Sequence, residues 1–522
     1  MSAMLALAYM CSLEDNESVA TSIREIAVPL IPPCATLCDY LKTSITGSQG
    51  GKVMLSYWHG IMDGCVVLLY FRLYWGGPLA IQDLGSCDIP QSLIDLLGNK
   101  QQQHLDEIGL SPLGVVWAVC SLRMCLKGGS SVFRQVLLTS ETVKNLCDLI
   151  SDVHLKPLQY WVGPSRGKFE VKRTVNQVVY LLMFPFDASE ESSELRDMDS
   201  QSRKDMVIEI KASMENYIQI LLEVGLPGQI IKCLEHLESK DTEQPLELLI
   251  LMVDHRSLVV ELVRKGLLNP NLMKSLLDDP SPTQVKVKAL QIISKVAQMD
   301  KEFYELIDGA DILQQLKAFL THEDRDVRGW TCKAIGNMCL HSSYFYSMLA
   351  KHNIGSLLVD LLFDKDVFPC GYAVFAIARM TRISEYFYED LRRCIHPLAK
   401  LLHSAETHNI TKRNVANCLN NLSYHSDKLI EDMISKGAME ALLKVVADYS
   451  VVALDPNRID DFEDILLLRT LIALATMCKH QPCRQFICSS HVYAVIGELR
   501  ESPIEDIASY STLIFNRASE ET

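Results

Sequence analysis

Lys295, Asn337, Arg379 and Asn421 follow one another at a constant stride of 42 residues. Each closes a similar phrase: Ile292-Ile293-Ser294-Lys295-Val296, Ala334-Ile335-Gly336-Asn337-Met338, Ala376-Ile377-Ala378-Arg379-Met380 and Cys418-Leu419-Asn420-Asn421-Leu422. Phe303, Phe345, Phe387 and Leu429 keep the same register, as do Tyr304, Tyr346, Tyr388 and Ile430. A period of about 40–47 residues with helical apolar spacing is the mark of HEAT or armadillo units. A unit of that size cannot bury its apolar face alone, so such units stack on their neighbours. The expected fold is all-α, an armadillo/HEAT-type right-handed helical solenoid. A solenoid directs the search for function toward a groove rather than a catalytic pocket.

Charge and composition narrow the partners. The chain has 522 residues, 48% hydrophobic and 22% charged, enough apolar material for a long continuous core. Its formal net charge of −15 argues against nucleic acid or an anionic membrane as partner, because both require a basic surface. The 17 cysteines are scattered through helical phrases, for example Cys332, Cys339 and Cys418, which reads as reduced, buried thiols in a cytosolic protein. The apolar start Met1–Ala8 lacks a basic flank and reads as helix rather than signal peptide. The run Cys65–Trp75 has 11 residues where about 20 are needed to cross a bilayer, and it contains Arg72. No membrane span is expected.

Three regions are expected. Residues 1–186 form a divergent helical-repeat region, in which Phe133 stands where the later repeats place Phe345. Residues 187–205 read as an acidic flexible linker or loop, since Asp187, Glu190, Glu191, Glu194, Asp197 and Asp199 sit among serines. Residues 206–522 form the regular armadillo/HEAT repeat region, with an insertion at 447–464 that makes Thr476 the stride equivalent of Asn421, 55 residues on.

Within Ala334–Met338, Ile335 and Met338 are i, i+3 partners on the core side, so Asn337 lies off that face. One reading turns it inward, where its amide binds the backbone of an extended peptide and the column Lys295, Asn337, Arg379, Asn421, Thr476 forms a peptide-binding ladder. The other has Asn337 and Asn421 tie the ends of their own helices. A second candidate surface is the basic run Arg379, Arg382, Arg392, Arg393, Lys400, Lys412 and Arg413. With four acids between its ends it carries a net +3, and Arg392 and Arg393 sit at its centre.

No catalytic motif stands up. Gly47-Ser-Gln-Gly50-Gly51-Lys52-Val53 misses the phosphate-loop spacing and has valine where a metal-binding hydroxyl is required. Cys478, His480, Cys483 and Cys488 are spread around a helix, unlike the tight cysteine pairs of zinc sites. Asp254-His255-Arg256 only reverses a kinase catalytic-loop tripeptide, and none of the other kinase signatures accompanies it. No cofactor, metal or small-molecule substrate is expected, and the chain itself is read as no enzyme.

Several longer phrases are more specific. His341-Ser-Ser-Tyr-Phe-Tyr-Ser-Met-Leu349, the stretch Gly437–Leu454 and His480-Gln-Pro-Cys-Arg-Gln-Phe486 resemble the C-terminal armadillo region of Fused-type serine/threonine protein kinases, in particular their plant members. Asp152–Lys156, Trp161–Pro164 and Tyr217–Gly225 resemble its more N-terminal part. The resemblance implies a kinase domain upstream, absent from this chain, so that any phosphorylation would be carried by that missing domain. It implies a role in cytokinesis, with a cytoplasmic location at the phragmoplast midline. It also implies a protein partner, a kinesin-12-type motor or another cytokinesis protein. The family repeats Gly-Asn in its armadillo phrases; Gly336-Asn337 keeps it, Asn420-Asn421 keeps half, and Ala378-Arg379 departs from it. A generic armadillo adaptor such as a transport receptor would need a tryptophan about one turn before each asparagine, where Lys333, Phe375 and Asn417 stand.

Overall fold

The computed structural model describes residues 2–11, 24–25, 27–47, 52–77, 80, 84, 87–98, 110–161, 167–188, 195, 198–382, 387–424, 427–455 and 462–519. Among them every regular element is a helix. The chain divides into two compact units, Met1–Leu267 and Leu268–Thr522.

In the first unit the long helices α1 (Lys52–Trp75), α2 (Pro112–Cys125) and α3 (Gly167–Asp187) pack in succession, α4 (Ser200–Glu223) follows, and α5 (Glu243–Met252) packs on α3. Helix α2 starts with proline at its first turn, where no backbone donor is needed, and Ser111 caps it by accepting from the Gly114 amide. Phe133 is fully buried.

The second unit carries the stride. Its long helices α6 (Thr283–Met299), α7 (Arg325–Met338), α8 (Val367–Met380), α9 (Asn409–Leu422), α10 (Phe462–Met477) and α11 (Glu505–Ser519) each pack on the next. Phe303, Phe345, Phe387 and Leu429 are all buried between them. Asp324 starts α7 by accepting from the amides of Asp326 and Val327. The turn before α8 is clasped to α7 by Arg328, which donates to the carboxylates of Asp364 and Asp366 and to the carbonyls of His322 and Glu323. An arginine that is only 8% exposed is tolerable because its donors are met in this way.

Two expected boundaries are corrected. Residues 187–205 fall inside the first unit, and residues 200–205 already belong to α4. The polar run Asp199-Ser-Gln-Ser is cap chemistry: the Asp199 carboxylate accepts from the amides of Gln201 and Ser202, and Arg203 donates back to the carbonyls of Leu195 and Met198, both buried. In the expected insertion, residues 447–454 prolong the helix Ala438–Leu454. The extension is anchored where Tyr449 donates to Asn409 Oδ1 and Ser502 donates to the Ala453 carbonyl. The rest of both stretches, 189–194, 196–197 and 456–461, lies outside the described residues, as do residues 48–51 of the glycine-rich loop.

All 17 cysteines are unbridged. Cys478 and Cys483 sit in the core, where burial pushes each thiol up to about 12. Among the described residues, no group of three His, Cys, Asp or Glu side chains is placed to hold a metal, and no single helix is long and apolar enough to cross a membrane.

Replacing Phe345 with alanine should cost about 3–5 kcal/mol, the loss expected for emptying a fully buried phenylalanine site. Because repeat stability is roughly a sum over units and their interfaces, the urea transition should also broaden or split. A single transition with an unchanged midpoint would show that the register is misassigned.

Candidate partner-binding surface

The stride residues do not form a free ladder. Asn337 is only 2% exposed, and its amide nitrogen donates to the Ser294 carbonyl and to the Ser294 hydroxyl, both at 3.0 Å. The Asn421 amide does the same two repeats on, donating to the Ala378 carbonyl at 3.0 Å and to Thr381 Oγ1 at 3.3 Å. Thr476 is buried and donates to the Ile472 carbonyl, with the Tyr424 hydroxyl 3.3 Å away. The two asparagines therefore join neighbouring repeats, a tie between helices rather than the groove donors or own-helix caps that the sequence offered, whereas Thr476 bonds within its own helix. The reason lies in geometry. A residue one step off the core-facing stripe of α7 meets α6 before it meets solvent.

The tyrosines complete the joint from the other direction. Tyr304 and Tyr346, both 1% exposed, donate their hydroxyls to the carbonyls of Asn337 and Arg379 at 2.9 and 3.1 Å. The Tyr304 oxygen also accepts from the His341 amide. Both carbonyls belong to the last turn of a helix, and the hydroxyl adds to the backbone amide that each already accepts, from Leu340 and Arg382.

Lys295 and Arg379 are half-buried on α6 and α8. The Arg379 guanidinium lies 5.2 Å from the centre of the Phe375 ring, and burial first, then Arg382, pulls its pKa below the usual arginine value. Arg392 and Arg393 lie on another helix, Tyr388–His403, and both are engaged. Arg392 pairs with Asp432 at 2.5 Å, while Arg393 pairs with Asp360 at 3.1 Å and donates to Ser356 Oγ. They bridge repeats on their own face.

What the structure adds is an aromatic strip on α7 and α8. Trp330, Lys333, Phe368, Tyr372 and Phe375 are all half-buried on these adjacent helices. The Trp330 and Tyr372 rings stack at 6.3 Å and 23°, and Phe368 meets Tyr372 edge-on at 5.0 Å. The Lys333 ammonium sits 4.4 Å from the Trp330 ring centre and 5.2 Å from that of Tyr372, and Arg379 covers Phe375 at the far end. Two helical glycines make room for it. A Cβ on Gly329 would meet the Phe368 ring at 2.1 Å, and one on Gly336 would meet the Phe375 ring at 2.6 Å. Each glycine costs its helix about 1 kcal/mol relative to alanine, and the two rings seated on bare backbone are the return. The same stride signals the strip in the sequence: Trp330, Tyr372 and Asn414 are 42 apart, as are Lys333, Phe375 and Asn417.

Comparison with known proteins follows the sequence resemblance. The chain is 43% identical over 553 aligned residues to the serine/threonine-protein kinase TIO of Arabidopsis thaliana, a match that takes in 100% of this chain. It spans 42% of that protein's length and matches its non-kinase part. No protein-family profile matches the chain. Among solved structures, an engineered protein from the Northeast Structural Genomics Consortium aligns with 94% of this chain and 99% of its own, with a TM-score of 0.66 and 15% identity, a likeness of fold alone. A designed armadillo repeat protein aligns with 48% of the chain at 21% identity and a TM-score of 0.41.

If Asn337 is a tie, Asn337→Ala should lower stability by about 1–3 kcal/mol, since it leaves buried groups of Ser294 unpaired. Tyr346→Phe, which removes one hydroxyl, should cost about 0.5–1.5 kcal/mol. Unchanged melting of Asn337→Ala would return the asparagine to the role of a free groove donor.

Proposed function

We propose that this chain, related over its whole length to the non-kinase portion of a plant serine/threonine-protein kinase, is the non-catalytic scaffold that targets a Fused-type kinase by binding a protein partner. The observation that carries this reading is the aromatic strip of α7 and α8. Half-exposed tryptophan, tyrosine and phenylalanine flanked by fixed cations match the residue types that dominate protein-interface energetics. The stride residues of the candidate column keep a part in it. Lys295 and Arg379 edge the same run of helices, whereas Asn337, Asn421 and Thr476 hold that run together.

The partner implied by the kinship is a cytokinesis protein, a kinesin-12-type motor at the phragmoplast midline, and the place of action is the cytoplasm of the dividing cell. Lys333 and Arg379 favour an acidic segment interleaved with apolar side chains, because such a segment would satisfy both the charges and the rings. A generic adaptor remains the second reading, supported by the all-helical architecture of the described residues.

The purified chain should bind a recombinant kinesin-12-type tail in calorimetry. Tyr372→Ser and Lys333→Glu should each weaken binding by about tenfold or more, as loss of a central interface anchor does. Arg264→Glu, on the first unit, should leave it unchanged. Equal affinity of all variants would move the interface away from the strip, and no binding to the tail would remove the motor as partner. In the same instrument the chain should give no heat with micromolar ATP, since no phosphate loop or catalytic aspartate loop is present.

A further inference from the structure

The basic run of the sequence leads into a cleft that the partner strip does not use. Between the helices Tyr388–His403 and Ala438–Leu454 lies a space of about 380 Å³. That volume falls within the range of ligand pockets, about 300–1,000 Å³. His396, Lys400 and His403 line one side. They stand at i, i+4 and i+7, so they share one face of their helix, and all three are exposed. Lys436 lines the other side, from the turn that precedes the second helix. Between these polar groups the wall is small and apolar. Ala399 and Ala441 are buried, and Gly437, at φ +79°, has nothing within 4 Å of the place where a Cβ would stand.

The walls are fixed before any ligand arrives. Lys436 donates to the Arg392 carbonyl at 3.2 Å and Lys444 donates to the His403 carbonyl at 3.3 Å, which braces the first helix near both of its ends. Lys436 also pairs with Asp432 at 3.2 Å. An ammonium has three donors, so one of its own is left for the cleft. Arg392 and Arg393 of the same basic run are taken up by Asp432 and Asp360. Lys400 is not. Among the described residues, neither its ammonium nor the imidazoles of His396 and His403 have a hydrogen-bond or ion-pair partner, and no residue lining the cleft is acidic.

We propose that this cleft docks a short acidic segment of a protein partner, with an apolar side chain on Ala399, Gly437 and Ala441 and flanking carboxylates on Lys400 and Lys436. Charge complementarity selects the carboxylates, and lysine, a point charge with rotatable donors, meets a single carboxylate oxygen without the fork geometry of arginine. The apolar part of the wall selects a side chain to cover it, which a bare inorganic anion would leave wet. The concave shape favours a peptide over a bilayer, whose flat surface cannot enter. This docking site stands apart from the partner strip, which lies on α7 and α8.

The test uses the full chain carrying Lys333→Glu and Tyr372→Ser, so that the strip, which favours the same charge, does not contribute. A Gly-Ser peptide with a central Asp-Leu-Glu is titrated while the ring signals of ¹³C-labelled histidine are followed by NMR. The signals of His396 and His403, identified by His396→Gln and His403→Gln, should move and give the affinity. Binding should weaken as salt rises from about 0.05 to 0.5 M, because exposed charges are screened. Lys400→Gln should weaken it about threefold, the scale of one partly exposed ion pair, and Lys400→Glu about tenfold. Lys317→Glu, an exposed position on the helix Leu313–Phe319 of the same unit, should bind as the parent does. The Asn-Leu-Gln and Asp-Ser-Glu counterparts should each bind more weakly than the parent peptide. Unmoved histidine signals, full affinity in Lys400→Glu, or equal affinity of either counterpart peptide overturns the proposal. Sedimentation with phosphatidylserine vesicles that Lys400→Glu abolishes would also overturn it, by assigning these cations to an anionic membrane surface.

Discussion

The carbonyls that every helix leaves open in its last turn are the constraint around which the second unit is organised. Beyond the backbone amides of the turn that follows, such as Leu340 on Asn337 and Arg382 on Arg379, they accept donors from neighbouring repeats, in both directions along the chain. Tyr304 and Tyr346 reach forward 33 residues to the carbonyls of Asn337 and Arg379. Asn421 reaches back 43 residues to Ala378, and Arg517 reaches back 42 to Ala475. Arg382 bonds the Leu340 carbonyl across the same stride. In the first unit the fully buried Tyr217 also bonds across helices, donating to the Leu182 carbonyl within α3. A helix end satisfied by its neighbour is satisfied only while the two remain in register. The bonds therefore couple adjacent repeats more tightly than apolar contact alone, which is indifferent to small slips.

That coupling explains which features could be read in the sequence. The phenylalanine column was legible because a fully buried aromatic tolerates no substitute that leaves a cavity, so the stride repeats it. The role of the asparagines was not. Helical periodicity places Asn337 beside the core stripe, and a position there can face either a groove or the seam with the preceding helix. Ser294, whose carbonyl and hydroxyl take the amide, lies 43 residues away and gives no local signal. The phrase Gly336-Asn337 thus joins two separate duties. The asparagine locks α7 to α6, and the glycine opens a seat for Phe375 from α8.

Polar composition misled in a similar way near Asp199. An acidic, serine-rich run has the composition of a solvated linker, yet the same residue types are those that cap helices. Only the alignment of the Asp199 carboxylate with two following amides separates the cases, and that alignment exists once Leu195 and Met198 are buried beside it. The boundary between the compact units, at Leu267, carries no such compositional mark.

The candidate surface uses a device that suits an acidic chain, and the device recurs in the first unit. Cations are held on aromatic faces: Lys333 over Trp330 and Tyr372, Arg379 over Phe375, and likewise Arg123 over Tyr180 and Arg173 over Trp117. With a net charge of −15 the long-range field repels an acidic partner. Salt at about 0.1 M screens that field beyond about 10 Å, but it weakens partly buried contacts much less. Attraction in this protein must therefore act at contact distance, from charges whose position is fixed before the partner arrives. Stacking supplies that fixation, because it restrains a long, flexible side chain through its face or stem while its donors stay available. A scaffold built this way gains little from electrostatic steering and recognises a partner by what fits against its rings.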